Sequence, residues 1–121
     1  MLVTMLKSKI HRATVTGADV DYEGSIAVDS ELLELAGIAE FEQVHVADVD
    51  NGNRLVTYAI AAARGSREFV VNGAAARLVE TGHTIIIMSY AVIDAVESCQ
   101  WEPTVVRLGE SNRVISRVTP S

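Results

Sequence analysis

Apolar and polar residues alternate along most of this chain with a period near two, the spacing of a strand whose successive side chains point to opposite faces. Residues 1–16 alternate around Val3, Met5, Ile10, Ala13 and Val15, which predicts strands and sets Lys9 and His11 on one face. Residues 42–48, 54–61, 68–71 and 104–108 predict further strands, and Ile26-Ala27-Val28 begins another. The aliphatic stretch 84–90 reads as a buried strand. Within 54–61, Arg54, Val56, Tyr58 and Ile60 share one face and Leu55, Thr57, Ala59 and Ala61 the other. Arg54 and Tyr58 are thereby placed together.

The breaks in this alternation are short. Gly17-Ala18-Asp19 reads as a turn or a single helical turn, and Arg64-Gly65-Ser66 and Gly82 as turns. Asn51-Gly52 predicts a type I′ hairpin. Residues 31–36 form a helix capped by Asp29 or Ser30, with acidic residues at its positive end and Gly37 just past its last turn. Asn72-Gly73-Ala74-Ala75-Ala76 turns into a short helix that runs through Leu78. Residues 91–103 mix the two periods and read as a short helix or loop, with Trp101 packed against the body. Residues 109–121 are polar and read as a flexible tail. Many short strands, tight turns and a few brief helices predict a mainly β single domain over 1–121, closed as a barrel.

Composition sharpens this picture. Hydrophobic residues make up 49% of the 121 but aromatics only 5%, so the core is built from Val, Ile, Leu and Ala. A small chain this apolar hides part of its surface in an oligomer. The net charge of −6 argues against nucleic acid and anionic membranes as partners. The longest aliphatic run, Ile85-Ile86-Ile87-Met88, is too short to span a bilayer, and the N-terminus has no signal-peptide pattern. Cys99 is the only cysteine, which rules out an intrachain disulfide, fits a cytoplasmic setting and reads as a buried or inert thiol. Lys7, Lys9, His11 and Arg12 form the only basic cluster, suited to a small carboxylate but also to a solvated strand face.

One dipeptide carries chemistry of its own. In Asp21-Tyr22-Glu23-Gly24-Ser25-Ile26, a glycine carbonyl precedes a serine hydroxyl, the pair that an N→O acyl shift requires. The ester so formed can break by β-elimination and leave a pyruvoyl group. On the dipeptide alone a plain turn is the stronger reading. Taken singly, His11 reads as a structural histidine, Arg54 as an exposed strand cation and Tyr58 as a half-buried packing residue. Likewise Gly73, Ala74 and Ala75 read first as close helix–sheet packing, although small residues after a glycine also leave backbone N–H groups open to an anion.

The combination changes the weighing. Met5-Leu6-Lys7-Ser8-Lys9-Ile10-His11-Arg12-Ala13-Thr14-Val15-Thr16, then Tyr22-Glu23-Gly24-Ser25, Asn51-Gly52 with Arg54, Thr57-Tyr58-Ala59-Ile60, Arg64-Gly65-Ser66 and Asn72-Gly73-Ala74-Ala75-Ala76 closely resemble the aspartate 1-decarboxylase family. The match runs in order from Met1 to about Pro103. His83 departs from it, standing where an acidic residue is expected, and is taken as a surface change.

The resemblance implies a double-psi β-barrel assembled as a homotetramer, with sites between protomers. It implies cleavage between Gly24 and Ser25 and a covalent pyruvoyl group derived from Ser25, with no metal and no PLP. It implies conversion of L-aspartate to β-alanine and CO2 through a Schiff base, in pantothenate (coenzyme A) biosynthesis. By resemblance, Tyr58 donates the proton. Lys9 and Arg54 bind carboxylate, and Thr57, Gly73, Ala74 and Ala75 hold substrate. His11, Tyr22 and Asn72 support the site. Thr57 and Tyr58 point to opposite faces of an ideal strand, so both can serve one site only if the strand lies at a subunit boundary or is bent, and sites between adjacent protomers are expected. Two other functions stand beside this one: a catalytically silent barrel that binds small anions or serves in assembly, and a pyruvoyl decarboxylase for another acid such as glutamate.

Overall fold

Nine strands form one sheet in the computed structural model, which describes residues 1–121. In chain order they are β1 (Leu2–Thr14), β2 (Gly17–Asp19), β3 (Ser25–Asp29), β4 (Gln43–Asp48), β5 (Arg54–Ala62), β6 (Phe69–Asn72), β7 (Thr84–Asp94), β8 (Thr104–Leu108) and β9 (Val114–Val118). Helix α1 (Ser30–Ala36) follows β3, α2 (Ala95–Ser98) follows β7, and a 3₁₀ turn (Gly73–Arg77) follows β6. The order across the sheet is β2-β6-β3-β5-β4-β7-β1-β8-β9.

Chain connectivity forces this sheet to curl. β2 stands first and β1 seventh in the order, yet only Val15 and Thr16 join them. Six strand spacings would separate them by about 29 Å in a flat sheet, whereas the connection reaches about 10 Å. The ends are tied where they meet. Thr16 N–H donates to the Phe69 carbonyl at 2.9 Å, and Phe69 N–H donates to Thr16 Oγ1 at 3.0 Å. Buried Asn112 adds a stitch: its Nδ2 donates to the carbonyls of Thr14 and Arg67, and its Oδ1 accepts from Thr14 N–H. The ladder itself stays open between β2 and β9. Parallel pairings of β1 with β8, β2 with β6 and β3 with β5 run among antiparallel ones. This mainly β, curled architecture agrees with the expected double-psi β-barrel class.

The inner face is aliphatic, as composition requires. Ile10, Ile26, Val44, Val46, Ile85 and Ile87 are buried around Phe69, the single buried aromatic. Each contributes roughly 1.5–3 kcal/mol relative to exposure. Helix α1 starts on Asp29, whose side chain accepts from Glu31 N–H, and ends on Gly37 in the left-handed region at φ 71°. Both ends agree with the sequence reading. Asp29 is buried and does more than cap: it also accepts from the backbone N–H groups of Gly65 and Arg67 at 2.9 and 2.8 Å.

Several expectations are revised. Residues 17–19 are not a turn but β2, held to β6 by parallel pairing. Asn51-Gly52 is not a two-residue hairpin: residues 49–53 separate β4 from β5, and only Gly52 of the pair has positive φ. β7 continues past Tyr90 to Asp94, where the Asp94 side chain caps α2. Cys99 is exposed rather than buried. The polar segment 109–121 contains β9, paired antiparallel with β8. Of the β9 side chains only Ser116 is partly buried, so pairing through the backbone alone leaves no alternation to read. Trp101 does pack on the body, its Nε1 donating to the Leu6 carbonyl at 2.7 Å.

Candidate functional site

Ser25 is the first residue of β3 and is buried. It pairs across the sheet with Asn72, the last residue of β6. Its hydroxyl is held from two sides. Oγ donates to the Glu23 carbonyl at 3.2 Å and accepts from Asn72 Nδ2 at 3.1 Å. The Asn72 bond fixes the oxygen beside the Gly24-Ser25 peptide and favours negative charge developing on it.

The glycine demanded by packing is Gly73, not Gly24. Gly73 has φ 74°, and a Cβ built there would lie 2.7 Å from Gly24 Cα, 2.8 Å from Gly24 N and 3.1 Å from the Tyr22 carbonyl oxygen. A Cβ on Gly24 would meet nothing within 4 Å. The backbone of residues 22–24 therefore lies against Gly73, and glycine at 73 permits that approach.

A cleft of about 440 Å³ opens beside Gly24, lined by Leu55, Val56, Thr57, Tyr58, Ala74, Ala75 and Leu78 as well. Strand register accounts for this grouping. β3 runs parallel to β5 with Ile26 opposite Ala59, and continuing the register back by one and two residues sets Ser25 beside Tyr58 and Gly24 beside Thr57. Thr57 and Tyr58 both border the cleft although they alternate along β5. Leu55, Val56 and Leu78 are cleft residues that the sequence reading did not single out. Leu78 ends the predicted helical turn, and that position was the available signal.

The remaining predicted residues stand apart. Arg54 is exposed at the start of β5, outside the cleft lining. The Tyr22 side chain is exposed, while its carbonyl meets Gly73. Lys9 and His11 lie on β1, four places from β3 in the sheet order. His11 Nδ1 is buried without a hydrogen-bond partner. Burial first, then the charges of Lys9, Arg12 and Arg107, lower the His11 pKa below its ordinary value. One chain thus gathers Gly24, Ser25, Thr57, Tyr58, Asn72, Gly73, Ala74 and Ala75, and leaves a cationic group of Lys9, His11, Arg12 and Arg107 on another part of its surface. A two-sided anchored hydroxyl next to a peptide bond, with a cleft beyond it, suits self-cleavage followed by binding of a small molecule.

Known proteins resemble this chain over most of its length. The family model described as "Aspartate decarboxylase" matches residues 1–115. A protein of Maricaulis maris named "Aspartate 1-decarboxylase" is 55% identical over 117 residues, 97% of each chain. One of the same name from Phenylobacterium zucineum is 53% identical, covering 94% of this chain and 97% of that one. Another from Acetivibrio thermocellus is 52% identical, covering 96% and 92%. With a family match over residues 1–115 and relatives 52–55% identical along nearly the whole chain, the chain belongs to the aspartate decarboxylase family.

Proposed function

We propose that this chain cuts its own Gly24-Ser25 bond and uses the pyruvoyl group formed from Ser25 to convert L-aspartate to β-alanine and CO2, supplying β-alanine for pantothenate in the cytoplasm. The observation that carries the reading is the buried Ser25 hydroxyl, held between the Glu23 carbonyl and the Asn72 amide next to Gly24, which lines the cleft.

That geometry supports self-cleavage. Oγ of Ser25 attacks the Gly24 carbonyl carbon as the Gly24-Ser25 C–N bond breaks, giving an ester and a free amine. The Asn72 amide stabilises charge on the attacking oxygen, and Thr57, beside Gly24 in the cleft wall, offers its hydroxyl to the Gly24 carbonyl. Loss of the Ser25 α-proton then expels the Gly24 carboxylate by β-elimination. Hydrolysis of the dehydroalanine with loss of ammonia completes the pyruvoyl group. The residues present fit that group: the open side of Gly24 faces the cleft, and Gly73 leaves room for the backbone around it. Once formed, the group supplies a ketone for the substrate amine and an electron sink for decarboxylation.

The chain's own side chains do the rest. Tyr58, in the cleft wall, delivers a proton to the substrate α-carbon. Arg54 binds a substrate carboxylate in a bidentate fork, and Lys9 adds a second positive charge. The backbone of Gly73, Ala74 and Ala75 borders the bound substrate, while His11, Tyr22 and Asn72 complete the surroundings. Lys9 and His11 come from a neighbouring protomer of a homotetramer. The apolar outer side chains Val56, Tyr90 and Val92, exposed in the single chain, support such an assembly. No helix is long and apolar enough to cross a membrane.

Intact mass tests the reading. The purified protein should resolve into pieces of 24 and 97 residues, the larger beginning with pyruvoyl, and release β-alanine from aspartate. Ser25→Ala should remain one chain without activity. A wild-type chain that stays whole on prolonged warming would overturn the proposal.

A further inference from the structure

His83 is not a free surface side chain. Its Nδ1 lies 2.7 Å from Oδ2 of Asp48, whose side chain is fully buried, and its Nε2 lies 3.2 Å from Oε2 of Glu80. An acidic residue at 83 would set a second negative charge against a buried carboxylate. The other Asp48 oxygen, Oδ1, accepts from the N–H groups of Asp50 and Asn51 at 2.8 and 3.3 Å. Asp48 N–H donates to the Asn53 carbonyl at 2.8 Å, and the Asp48 carbonyl accepts from Gly52 N–H at 2.9 Å. The loop 49–53 is wrapped around one buried carboxylate.

That loop connects two walls of the candidate site. Arg54 follows Asn53 directly. The side-chain amides of Asn51 and Asn53 both donate to the Leu78 carbonyl, at 2.9 and 3.0 Å, and Leu78 lines the cleft. Asp50 Oδ2 accepts from Thr84 N–H at 2.7 Å, and Val49 N–H donates to the Thr84 carbonyl at 2.8 Å, tying the loop to the start of β7. We propose that His83 is a positioning residue for Arg54: the protonated imidazole holds the Asp48 carboxylate and with it the 49–53 loop, so that substrate binding weakens as His83 loses its proton. This inference rests on the reading of Arg54 as the carboxylate-binding side chain.

The charges around His83 agree with the bond. The hydrogen bond to Asp48 raises its pKa above the ordinary histidine value, burial opposes this, and the charges of Asp48, Asp50 and Glu80 add to the rise. These carboxylates come from the end of β4, from the loop and from the turn that precedes His83, and no cation stands among them. A raised pKa keeps the bond charge-assisted at low pH, and as pH rises through the folded-state titration it weakens to at most a neutral hydrogen bond from the Nδ1–H tautomer.

The test compares the matured wild type, His83→Gln and His83→Arg across the His83 titration, which is followed by imidazole NMR. In the wild type KM for aspartate should rise about three- to tenfold across it while kcat stays within about twofold. His83→Gln should show the raised KM throughout, with no step in that range. His83→Arg, permanently charged and with its end free to reach solvent, should keep the low KM at high pH. Parallel KM profiles for wild type and His83→Gln would overturn the proposal. A second readout needs no activity: in uncleaved Ser25→Ala protein the Arg54 amide resonance should follow the His83 titration, and an Arg54 amide indifferent to it would refute the positioning role. If that resonance follows His83 but the wild type releases no β-alanine, the brace stands and the decarboxylase reading fails.

Discussion

Gly73→Ala is the substitution most sharply determined by the backbone around Gly24. Two costs arise together. An alanine held at φ 74° sits in the left-handed region, at about 1–2 kcal/mol. Its Cβ would also stand 2.7 Å from Gly24 Cα and 2.8 Å from Gly24 N, both backbone atoms that cannot rotate away. Carbon atoms pack best at about 3.5–4.0 Å, so relief requires a shift approaching 1 Å, and overpacking of this kind costs about 1–3 kcal/mol. The sum, about 2–5 kcal/mol, corresponds to a drop of roughly 10 °C or more in Tm for a domain of this size. The shift falls on Gly24, whose carbonyl Ser25 attacks in the proposed cleavage. Cleavage should therefore slow by about a hundredfold, the usual penalty for a misplacement near 1 Å. Melting is measured in a Ser25→Ala background, so that cleavage does not confound it, and cleavage by intact mass over time. Gly24→Ala is the control: its Cβ meets nothing within 4 Å and its φ is not positive, so its Tm should stay within about 2 °C of the parent. A Gly73→Ala protein that melts and cleaves like its parent would refute the packing argument.

Asn72→Ala removes the donor that holds Ser25 Oγ at 3.1 Å and should slow cleavage about 10- to 100-fold, read by intact mass. Tyr58→Phe keeps the ring that borders the cleft and should cleave normally, yet lose most β-alanine production; full turnover would remove Tyr58 from proton delivery. Asp29→Asn tests a pH dependence. Burial raises the Asp29 pKa, but the backbone N–H groups of Arg67, Gly65 and Glu31 and the charge of Arg67 outweigh it, so the carboxyl titrates below 3.8. The ionised form therefore adds stability that is present above pH 3.8 and lost as pH falls through the folded-state value. Asp29→Asn should cost about 1–3 kcal/mol at neutral pH, and thermal melts should show the gap closing in acid.

The fold was legible where one face is buried. Val44, Val46, Ile85 and Ile87 alternate with outward residues, and each lies in a strand. The helix ends at Asp29 and Gly37 were legible because capping is local chemistry. What escaped depends on distant partners. β2 is three residues long and exists because β6 lies beside it, and β9 exists because β8 offers an edge. The Asn51-Gly52 signal marked a reversal correctly but not its length, since Asp48 and Asp50 build a wider loop through bonds to His83 and Thr84. On β5 the shared face of Arg54 and Tyr58 followed from period two, although only Tyr58 lines the cleft. The requirement for glycine at 73 could not be read, because it comes from an approach to residues 22–24, some fifty positions away in sequence.

Register also explains why Lys9 and Ser25 do not meet within one chain. Lys9 pairs with Met88, Met88 with His45, and His45 with Val56, a continuous row across β1, β7, β4 and β5. Directly opposed residues share a face, so Lys9 lies on the outer face with Val56, and with Arg54 and Tyr58 two residues to either side of Val56. Measured along the curled sheet, three strand spacings, about 14 Å of arc, separate Lys9 from Val56, and one more, about 19 Å of arc, separates it from the strand that carries Ser25. A lysine side chain spans only about a third of that. The same face is apolar and uncovered, with Val56 56% and Val92 63% exposed. Burying it against a second copy would remove that apolar area from water. Where the proposed site takes Lys9 from a neighbouring protomer, burial of this apolar face would stabilise the assembly that completes it.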